Sequence, residues 1–211
     1  MSAAAGGPPR LGRAPWTTAG DLDAAQRGLV DRIRDDWGGG SLGVSPFDSG
    51  GRLVGPFDLM AASPHVGAAV LEAAASFRDS DLAVVERELV ILVVAVAERA
   101  GFMWAGHRPV ALAAGLSPEA AERIRAGEVP RFGEPLRTVH RVARCLVDEG
   151  DLDDAAFDDA VDRLGWRRLQ EVVWLTGLYR ALGLAMRVAR SPLPGTDLAG
   201  TELEGRDERD H

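Results

Sequence analysis

A run of nine apolar residues, Leu89 to Ala97, is the feature that most constrains the fold of this chain. At helical spacing the run is apolar on every side, and a helix of that kind has no face suited to water. Glu98 and Arg99 end the run, which makes it too short to cross a bilayer. The run therefore predicts a central helix that other helices bury on all sides.

The rest of the chain divides into segments with helical periodicity and recognisable caps, and no stretch alternates like a strand, so we predict an all-α architecture. Ser41 to Asp58 is dense in Gly, Pro, Ser and Asp, and it predicts an ordered loop over the core. The expected helices begin at the caps Asp21, Ser63-Pro64, Ser80 or Asp81, and Ser117-Pro118, span the stretch between Gly101 and Gly115, and cover residues 135–149, 154–164 and 167–190.

Length and composition favour one folded domain. A chain of 211 residues with 46% apolar residues can bury a sizeable core. Residues 1–20 are rich in Ala, Gly and Pro, and residues 195–211 form an acidic tail, so both are expected to be disordered. The helical domain is expected to span residues 21–194.

Charge and residue inventory exclude several kinds of partner. The net charge is −8, from 24 basic and 32 acidic residues, which disfavours nucleic acid. Every basic residue is Arg, so Schiff-base chemistry has no lysine to use. The single cysteine, Cys145, cannot form an internal disulfide, and residues 1–20 lack the apolar core of a signal peptide. We expect a cytoplasmic protein with no membrane partner.

Glu88 and His107 are the residues that suggest chemistry. Glu88 precedes the apolar run and His107 lies in the next helix, where a carboxylate and an imidazole can meet inside a core. Pro109 withholds an N–H from the carbonyl of Ala105, so the helix is disturbed beside the imidazole. The alternatives are a core histidine bonded to a backbone carbonyl, and a glutamate that interacts with the helix dipole or solvent beside Arg87.

Six segments of the chain follow one another in a recognisable order: Asp23–Ile33, Gly51–Phe57, Ser63–Gly67, Arg87–Leu92, Trp104–His107 and Glu171–Tyr179. In this order they resemble the carboxymuconolactone decarboxylase-like family, whose helical fold is shared with alkylhydroperoxidase D. The resemblance covers about residues 21 to 194 and implies an alkylhydroperoxidase D-like helical domain that assembles as a symmetric homo-oligomer, a trimer or a hexamer.

The resemblance also shows where this chain departs from the family. In the peroxidase branch a glutamate precedes a Cys-x-x-Cys-x-x-x-His run, but Ala100 and Met103 stand at the two cysteine positions. In the decarboxylase-like branch, Met103 replaces a glutamate and Gly106 replaces a histidine. The peroxidase reaction needs both thiols, and Cys145 lies on a different helix, where it is expected to be a small buried residue.

The favoured function is a cofactor-independent acid/base enzyme with no metal, acting on a lactone or a β-keto acid type metabolite by decarboxylation or proton transfer. His107 would deliver a proton, Glu88 would orient the imidazole and Tyr179 would polarise an oxygen. Residues expected to contact substrate are Phe102, Met103 and Trp104 as an apolar wall, and Arg180, or less favourably Arg108, for a carboxylate; the alternatives are core packing and surface arginines.

Two other classes stay open. One is a family member without catalysis that serves as a binding or assembly module, which the changes at Met103 and Gly106 favour. The other is an alkylhydroperoxidase-type peroxidase, which the missing cysteines disfavour. Of the remaining histidines, His65 is expected at the surface and His140, which has arginines around it in sequence, is expected to be solvated.

Overall fold

The computed structural model describes residues 10–11, 13–15, 22–38, 43–48 and 51–191. The described residues are predominantly helical, and the predicted all-α architecture is confirmed. The helices are α1 (Ala24–Trp37), α2 (Pro56–Ala62), α3 (Pro64–Ser76), α4 (Val84–Ala97), α5 (Gly101–Ala113), α6 (Pro118–Arg125), α7 (Leu136–Asp148), α8 (Asp154–Leu164) and α9 (Trp166–Ala189), with a 3₁₀ turn at Phe77–Asp79.

Helix α4 is the centre of the fold, as the apolar run predicts. Each residue from Leu89 to Ala95 is at most 3% exposed, and α5, α6, α7 and α9 pack against the helix. Burial of one Leu, Ile or Val side chain contributes roughly 1.5–3 kcal/mol, so this segment is a main source of stability. The other helices are arranged around it.

The starts of two helices differ from the prediction. Asp23, not Asp21, caps α1: its side chain accepts a hydrogen bond from the backbone N–H of Gln26, and the Gln26 side chain bonds back to Asp23. Neither Ser80 nor Asp81 caps α4. The Glu86 carboxylate accepts the N–H of Ala83 at 2.7 Å instead, because a side chain in the first turn can reach back to a free backbone donor.

The segment predicted as a loop over residues 41–58 is a loop only in part. The described residues 43–48 and 51–55 are irregular, with one isolated antiparallel bridge between Phe47 and Leu53, and α2 then begins at Pro56. The prediction is wrong from Pro56 onward, because a proline at the first helical position starts a helix as readily as it interrupts one.

Near the N-terminus, two-residue strands β1 (Arg10–Leu11) and β2 (Ala14–Pro15) pair in antiparallel fashion. The backbone N–H of Arg13, in the turn between them, donates to the carbonyl of Ala189 at the end of α9. Most of the predicted N-terminal lead, residues 1–20, and all of the predicted tail, residues 195–211, lie outside the described residues. The proposed domain limits stay a prediction.

Helix α9 is held to the end of α4 by the buried carboxylate of Glu98. Arg180 donates to this carboxylate at 3.3 Å, and Arg187 also pairs with it. Gly183 makes this approach possible, since a Cβ there would lie 2.6 Å from Glu98 Cβ. Among the described helices α9 has the length and apolar content to cross a bilayer, a test that core helices of soluble proteins also pass.

Gly55, just before α2, is expected to be sensitive to substitution. It has φ of +63°, and a Cβ there would lie 2.6 Å from the Phe102 ring. Gly51 has a similar φ of +76° but nothing within 4 Å of a Cβ, which makes it a matched control. We expect Gly51→Ala to cost about 1–2 kcal/mol of unfolding free energy from backbone strain alone. Gly55→Ala should cost about 1–3 kcal/mol more through the clash. Urea denaturation measures the unfolding free energy of both variants. An equal loss of stability in the two variants would contradict the clash with Phe102.

Candidate active site

The connection between α4 and α5 brings Glu88 and His107 together. The two residues are 19 positions apart, a distance of about 28 Å along one continuous helix. The chain instead turns at Glu98–Ala100, where Arg99 adopts a left-handed φ of 54°, and α5 packs back against α4. His107 Nδ1 and Glu88 Oε2 are consequently 2.8 Å apart.

This pair is buried, and its hydrogen bond determines which imidazole nitrogen is available. His107 is 9% and Glu88 8% exposed. A carboxylate accepts a hydrogen from Nδ1–H, which places the proton of a neutral imidazole on Nδ1 and leaves the lone pair on Nε2. The partner of Nδ1 is therefore a carboxylate and not a backbone carbonyl, and the contact between Glu88 and His107, which the sequence left open, is present.

Tyr179 of α9 lies next to the imidazole. The two ring centroids are 5.3 Å apart with planes at 84°, an edge-to-face contact. Burial raises the pKa of Tyr179 well above its usual value, and the negative charge of Glu88 raises it further, against smaller opposite effects of Arg87 and Arg78. The phenol accordingly keeps its proton near neutral pH and is available as a hydrogen-bond donor.

His107 and Tyr179 line a narrow apolar cavity of about 40 Å³. A water needs roughly 10–15 Å³ of such space, so the cavity has room for about three waters. Besides these two residues, the walls are made by side chains from five helices: Trp37 of α1, Pro56, Phe57 and Met60 of α2, Leu71 and Ala74 of α3, Phe102, Met103 and Gly106 of α5, and Leu182 and Met186 of α9.

The loop before α2 covers α5 at the cavity. The N–H of Gly43 donates to the carbonyl of Gly106 at 2.8 Å, and a Cβ on Gly43 would lie 2.6 Å from Pro109 Cγ. Val44 takes up part of the space beside Gly106, since a Cβ added there would be 3.2 Å from Val44 Cγ2. The disturbed backbone predicted at Pro109 is thus where this loop docks.

Two of the residues predicted to contact substrate, Trp104 and Arg180, do not line this cavity. Trp104 is buried but does not line the cavity; it follows Met103 by about 100° of helical rotation, and Arg125 of α6 lies over its ring. Arg180 is turned away from Tyr179 by the same rotation and binds Glu98 and the carbonyl of Leu146. Arg108, the second choice for a carboxylate, pairs with Glu122 at 2.8 Å.

Phe102 and Met103 do line the cavity, as predicted. The lining residues that the sequence did not single out include Trp37, Phe57, Met60 and Leu71, and the helical spacing of each is that of ordinary core residues. Nothing in their local pattern separates a cavity wall from a packed core. Only the meeting of α1, α2 and α3 with α5 and α9 makes them part of a site.

The remaining histidines and the cysteine lie elsewhere. His65 is exposed, as predicted. His140 is only 3% exposed, which contradicts the predicted solvated position: Phe132 packs against its ring, and its Nε2 has no partner among the described residues. Cys145 of α7 is half-buried and does not line the cavity. Within the described ranges, no group of three His, Cys, Asp or Glu side chains could hold a metal ion.

Residues 64–144 match the model of the carboxymuconolactone decarboxylase family. This part of the chain is similar to that family. The matched residues run from the start of α3 into α7 and include both Glu88 and His107, whereas Tyr179 lies outside them. No curated protein matches the chain.

The match confirms, over residues 64–144, the resemblance read from the sequence, without naming a reaction for this chain. Met103 and Gly106, two of the positions where the sequence departs from the pattern of the decarboxylase-like branch, both line the cavity. The departures therefore alter the cavity itself, so the site has to be judged by its own groups.

Proposed function

We propose that the protein is a cofactor-independent acid/base enzyme that moves a proton on a small oxygenated substrate of the lactone or β-keto acid type. The observation that carries this proposal is the buried contact of 2.8 Å between His107 Nδ1 and Glu88 Oε2 beside an apolar cavity. A histidine held in this way by a carboxylate has one orientation, one preferred tautomer and one free nitrogen.

In the proposed mechanism His107 Nε2 takes a proton from substrate carbon and later returns it. When Nε2 becomes protonated, the imidazolium is stabilised by the adjacent carboxylate of Glu88 at short distance in a poorly hydrated site. The substrate proton therefore has a defined acceptor that needs no water. General acid/base assistance of this kind contributes about 10²- to 10⁴-fold to a rate.

Tyr179 supplies the complementary group. Abstraction of a proton next to a carbonyl, or loss of carbon dioxide from a β-keto acid, develops negative charge on the carbonyl oxygen. A neutral phenol donor aimed at that oxygen stabilises this charge more strongly in a dry cavity than in water. The raised pKa of Tyr179 keeps the donor proton in place.

The cavity walls can adapt to a substrate larger than a few waters. Met60, Met103 and Met186 contribute three methionines to the lining. Methionine is unbranched and flexible, so such walls can rearrange at low free-energy cost. The half-buried Pro56, Ala74 and Leu182 are the lining residues nearest to solvent.

Glu88→Gln tests the role of the pair. A glutamine keeps the size of the side chain but carries no charge to stabilise an imidazolium, so we expect kcat to fall by about 10²-fold or more. Turnover of γ-carboxymuconolactone and a small panel of lactones and β-keto acids is the measurement. Glu122→Gln is the matched control, because Glu122 is exposed and pairs with Arg108 of the same helix that carries His107. Equal rates in the two variants would contradict the proposal.

We also propose that the protein assembles as a homo-oligomer through the outer face of α9. Trp174, Leu184 and Val188 lie on this face and are 71%, 50% and 59% exposed, which is unusual for a protein surface. Trp174 also borders an apolar groove against Ala73 and Phe77 of the α3 side. The same patch thus offers a projecting indole and a groove, as a two-fold contact requires.

Trp174→Glu is expected to lower the mass of the protein in solution by light scattering, because a buried charge would oppose the contact. Val129→Glu is the control: Val129 is 69% exposed and lies in the loop between α6 and α7. An unchanged mass in Trp174→Glu would place the contact elsewhere or show a monomer.

A binding or assembly module without catalysis is the alternative, favoured by the two apolar positions Met103 and Gly106 in the cavity. It predicts ligand binding with no His107-dependent turnover. A thiol peroxidase is disfavoured because Ala100 and Met103 occupy the positions of both thiols.

A further inference from the structure

The charge balance of the cavity narrows the substrate class. Of the described residues that line it, none is an arginine, and the side chains with polar groups are the imidazole of His107, the phenol of Tyr179 and the indole of Trp37. With Glu88 ionised, the pair with His107 carries a charge of −1 when the imidazole is neutral and zero when it is protonated. In neither state does the pair offer a net positive charge.

We propose that the site takes a neutral carbonyl substrate with an ionisable neighbouring C–H, such as a lactone or an unsaturated ketone, and that it shifts a proton without releasing carbon dioxide. This inference rests on the proposed acid/base function and specifies it further. A substrate carboxylate would lose its hydration in an apolar cavity next to Glu88 with no cation to replace the lost water. A neutral carbonyl group gives up much less hydration free energy on entering the same cavity.

The arginines that flank the site lie outside the cavity wall. Arg180 and Arg108 are occupied by Glu98 and Glu122. Arg78 and Arg87 affect Tyr179, but neither lines the cavity, and Arg78 stacks on the Trp37 ring with its guanidinium carbon 4.6 Å from the ring centroid. The effect of Glu88 on Tyr179 is larger than that of either arginine.

The positions of Met103 and Gly106 agree with an apolar substrate. Met103 contributes a thioether to the wall, and Gly106 contributes no side chain. The space beside Gly106 is limited by Val44, since a Cβ there would already lie 3.2 Å from Val44 Cγ2. Both positions therefore favour contact with an apolar substrate group over contact with a charged one.

The proposed step is balanced without a co-reactant. His107 Nε2 removes a proton from the carbon next to the carbonyl, and the electron pair of that C–H bond moves into the carbonyl as an enolate. Tyr179 donates a hydrogen bond to the enolate oxygen. The imidazolium then returns the proton, either to the same carbon or to the far end of a conjugated double bond, so the product is an exchanged or isomerised substrate.

The test uses two matched probes in D₂O with the full chain. One is α-angelica lactone, a neutral five-membered lactone with a methyl group; the other is the same ring with a carboxymethyl group in place of the methyl group. Proton NMR follows exchange at the carbon next to the carbonyl, and released carbon dioxide is measured in parallel. We expect exchange of the neutral lactone to exceed that of the carboxylate by at least about 100-fold in kcat/KM, with no carbon dioxide released.

Leu182→Arg provides a second measurement. Leu182 is a half-buried lining residue, so an arginine there can reach solvent and still present its charge to the cavity. We expect the neutral-to-carboxylate ratio to fall by about 10-fold or more in this variant. An unchanged ratio in a folded variant would show that charge in the cavity does not set specificity and would overturn the inference.

The outcomes separate this inference from the function on which it rests. Faster turnover of the carboxylate, or release of carbon dioxide, would overturn the neutral substrate class while leaving a His107-dependent acid/base enzyme in place. If the carboxylate probe is turned over faster by the wild type but not by the Arg78→Gln variant, the carboxylate group binds to Arg78, outside the cavity wall. Absence of exchange with both probes and with the wider panel would overturn both proposals.

Discussion

Replacing His107 with glutamine is expected to lower kcat by about 10²- to 10⁴-fold, the usual contribution of a general acid or base. The amide of glutamine can still donate a hydrogen bond to Glu88, so the buried carboxylate keeps a partner and the fold is retained. An amide cannot take up and release a proton at neutral pH, however, and the proposed step has no other base in the cavity walls of the described structure.

The measurement is turnover or proton exchange on the responsive substrate, with thermal unfolding of the same preparation. His65→Gln is the control, because His65 is exposed at the start of α3. A His107→Gln variant that is folded and keeps more than about a tenth of the activity would rule out His107 as the proton carrier.

The second large effect is on the pH dependence of stability. Burial, together with the charge of Arg144, lowers the pKa of His140 to about 4. Burial raises the pKa of Asp58 to about 6. Neither group takes part in the proposed reaction, so their titration can be followed through the free energy of unfolding alone.

The two shifts act in opposite directions. Between pH 6.5 and about 4 the unfolded chain protonates His140 and the folded chain does not, so stability from this group is lost as pH falls, by about 3 kcal/mol in all. Between pH 3.8 and about 6 the unfolded chain releases the proton of Asp58 and the folded chain keeps it, so stability from this group is lost as pH rises, also by about 3 kcal/mol. The contributions nearly cancel between pH 4 and 6.

Urea denaturation from pH 4 to 7 separates the contributions of His140 and Asp58 to the free energy of unfolding. Relative to wild type, His140→Gln is expected to show a stability that falls more steeply as pH rises from 4 to 6, since only the Asp58 contribution remains. Asp58→Asn is expected to show the opposite slope over the same range. Curves parallel to wild type in both variants would mean that these groups titrate alike in the folded and unfolded chain.

The core helix shows how far sequence reasoning reaches. The run Leu89–Ala97 predicts a helix buried on all sides, and the structure buries it from Leu89 to Ala95, because an all-apolar helix has only one stable environment in water. Most helix limits were also close, since proline and glycine act locally at helix ends. The errors at Asp21, Ser80 and Pro56 occur where several adjacent residues could serve as a start.

His140 and Arg180 show where such reasoning stops. His140 has arginines around it in sequence, at Arg137, Arg141 and Arg144, but helical rotation places it on the buried face of α7. Arg180 follows Tyr179 directly, yet one residue of rotation turns it toward Glu98. Proximity in sequence therefore says little about which side of a helix a charge occupies.

The sequence alone predicted the resemblance to the carboxymuconolactone decarboxylase family, the helical architecture and the candidates Glu88, His107 and Tyr179, because these depend on residue type, periodicity and motif. Only the tertiary structure decided that Glu88 and His107 are in contact, that Trp104 and Arg180 lie elsewhere, and that the cavity is apolar and without an arginine among its described walls. The physical reason is that a cavity is made by the packing angles and rotations of five separate helices, and those are set by the whole core and not by any local segment.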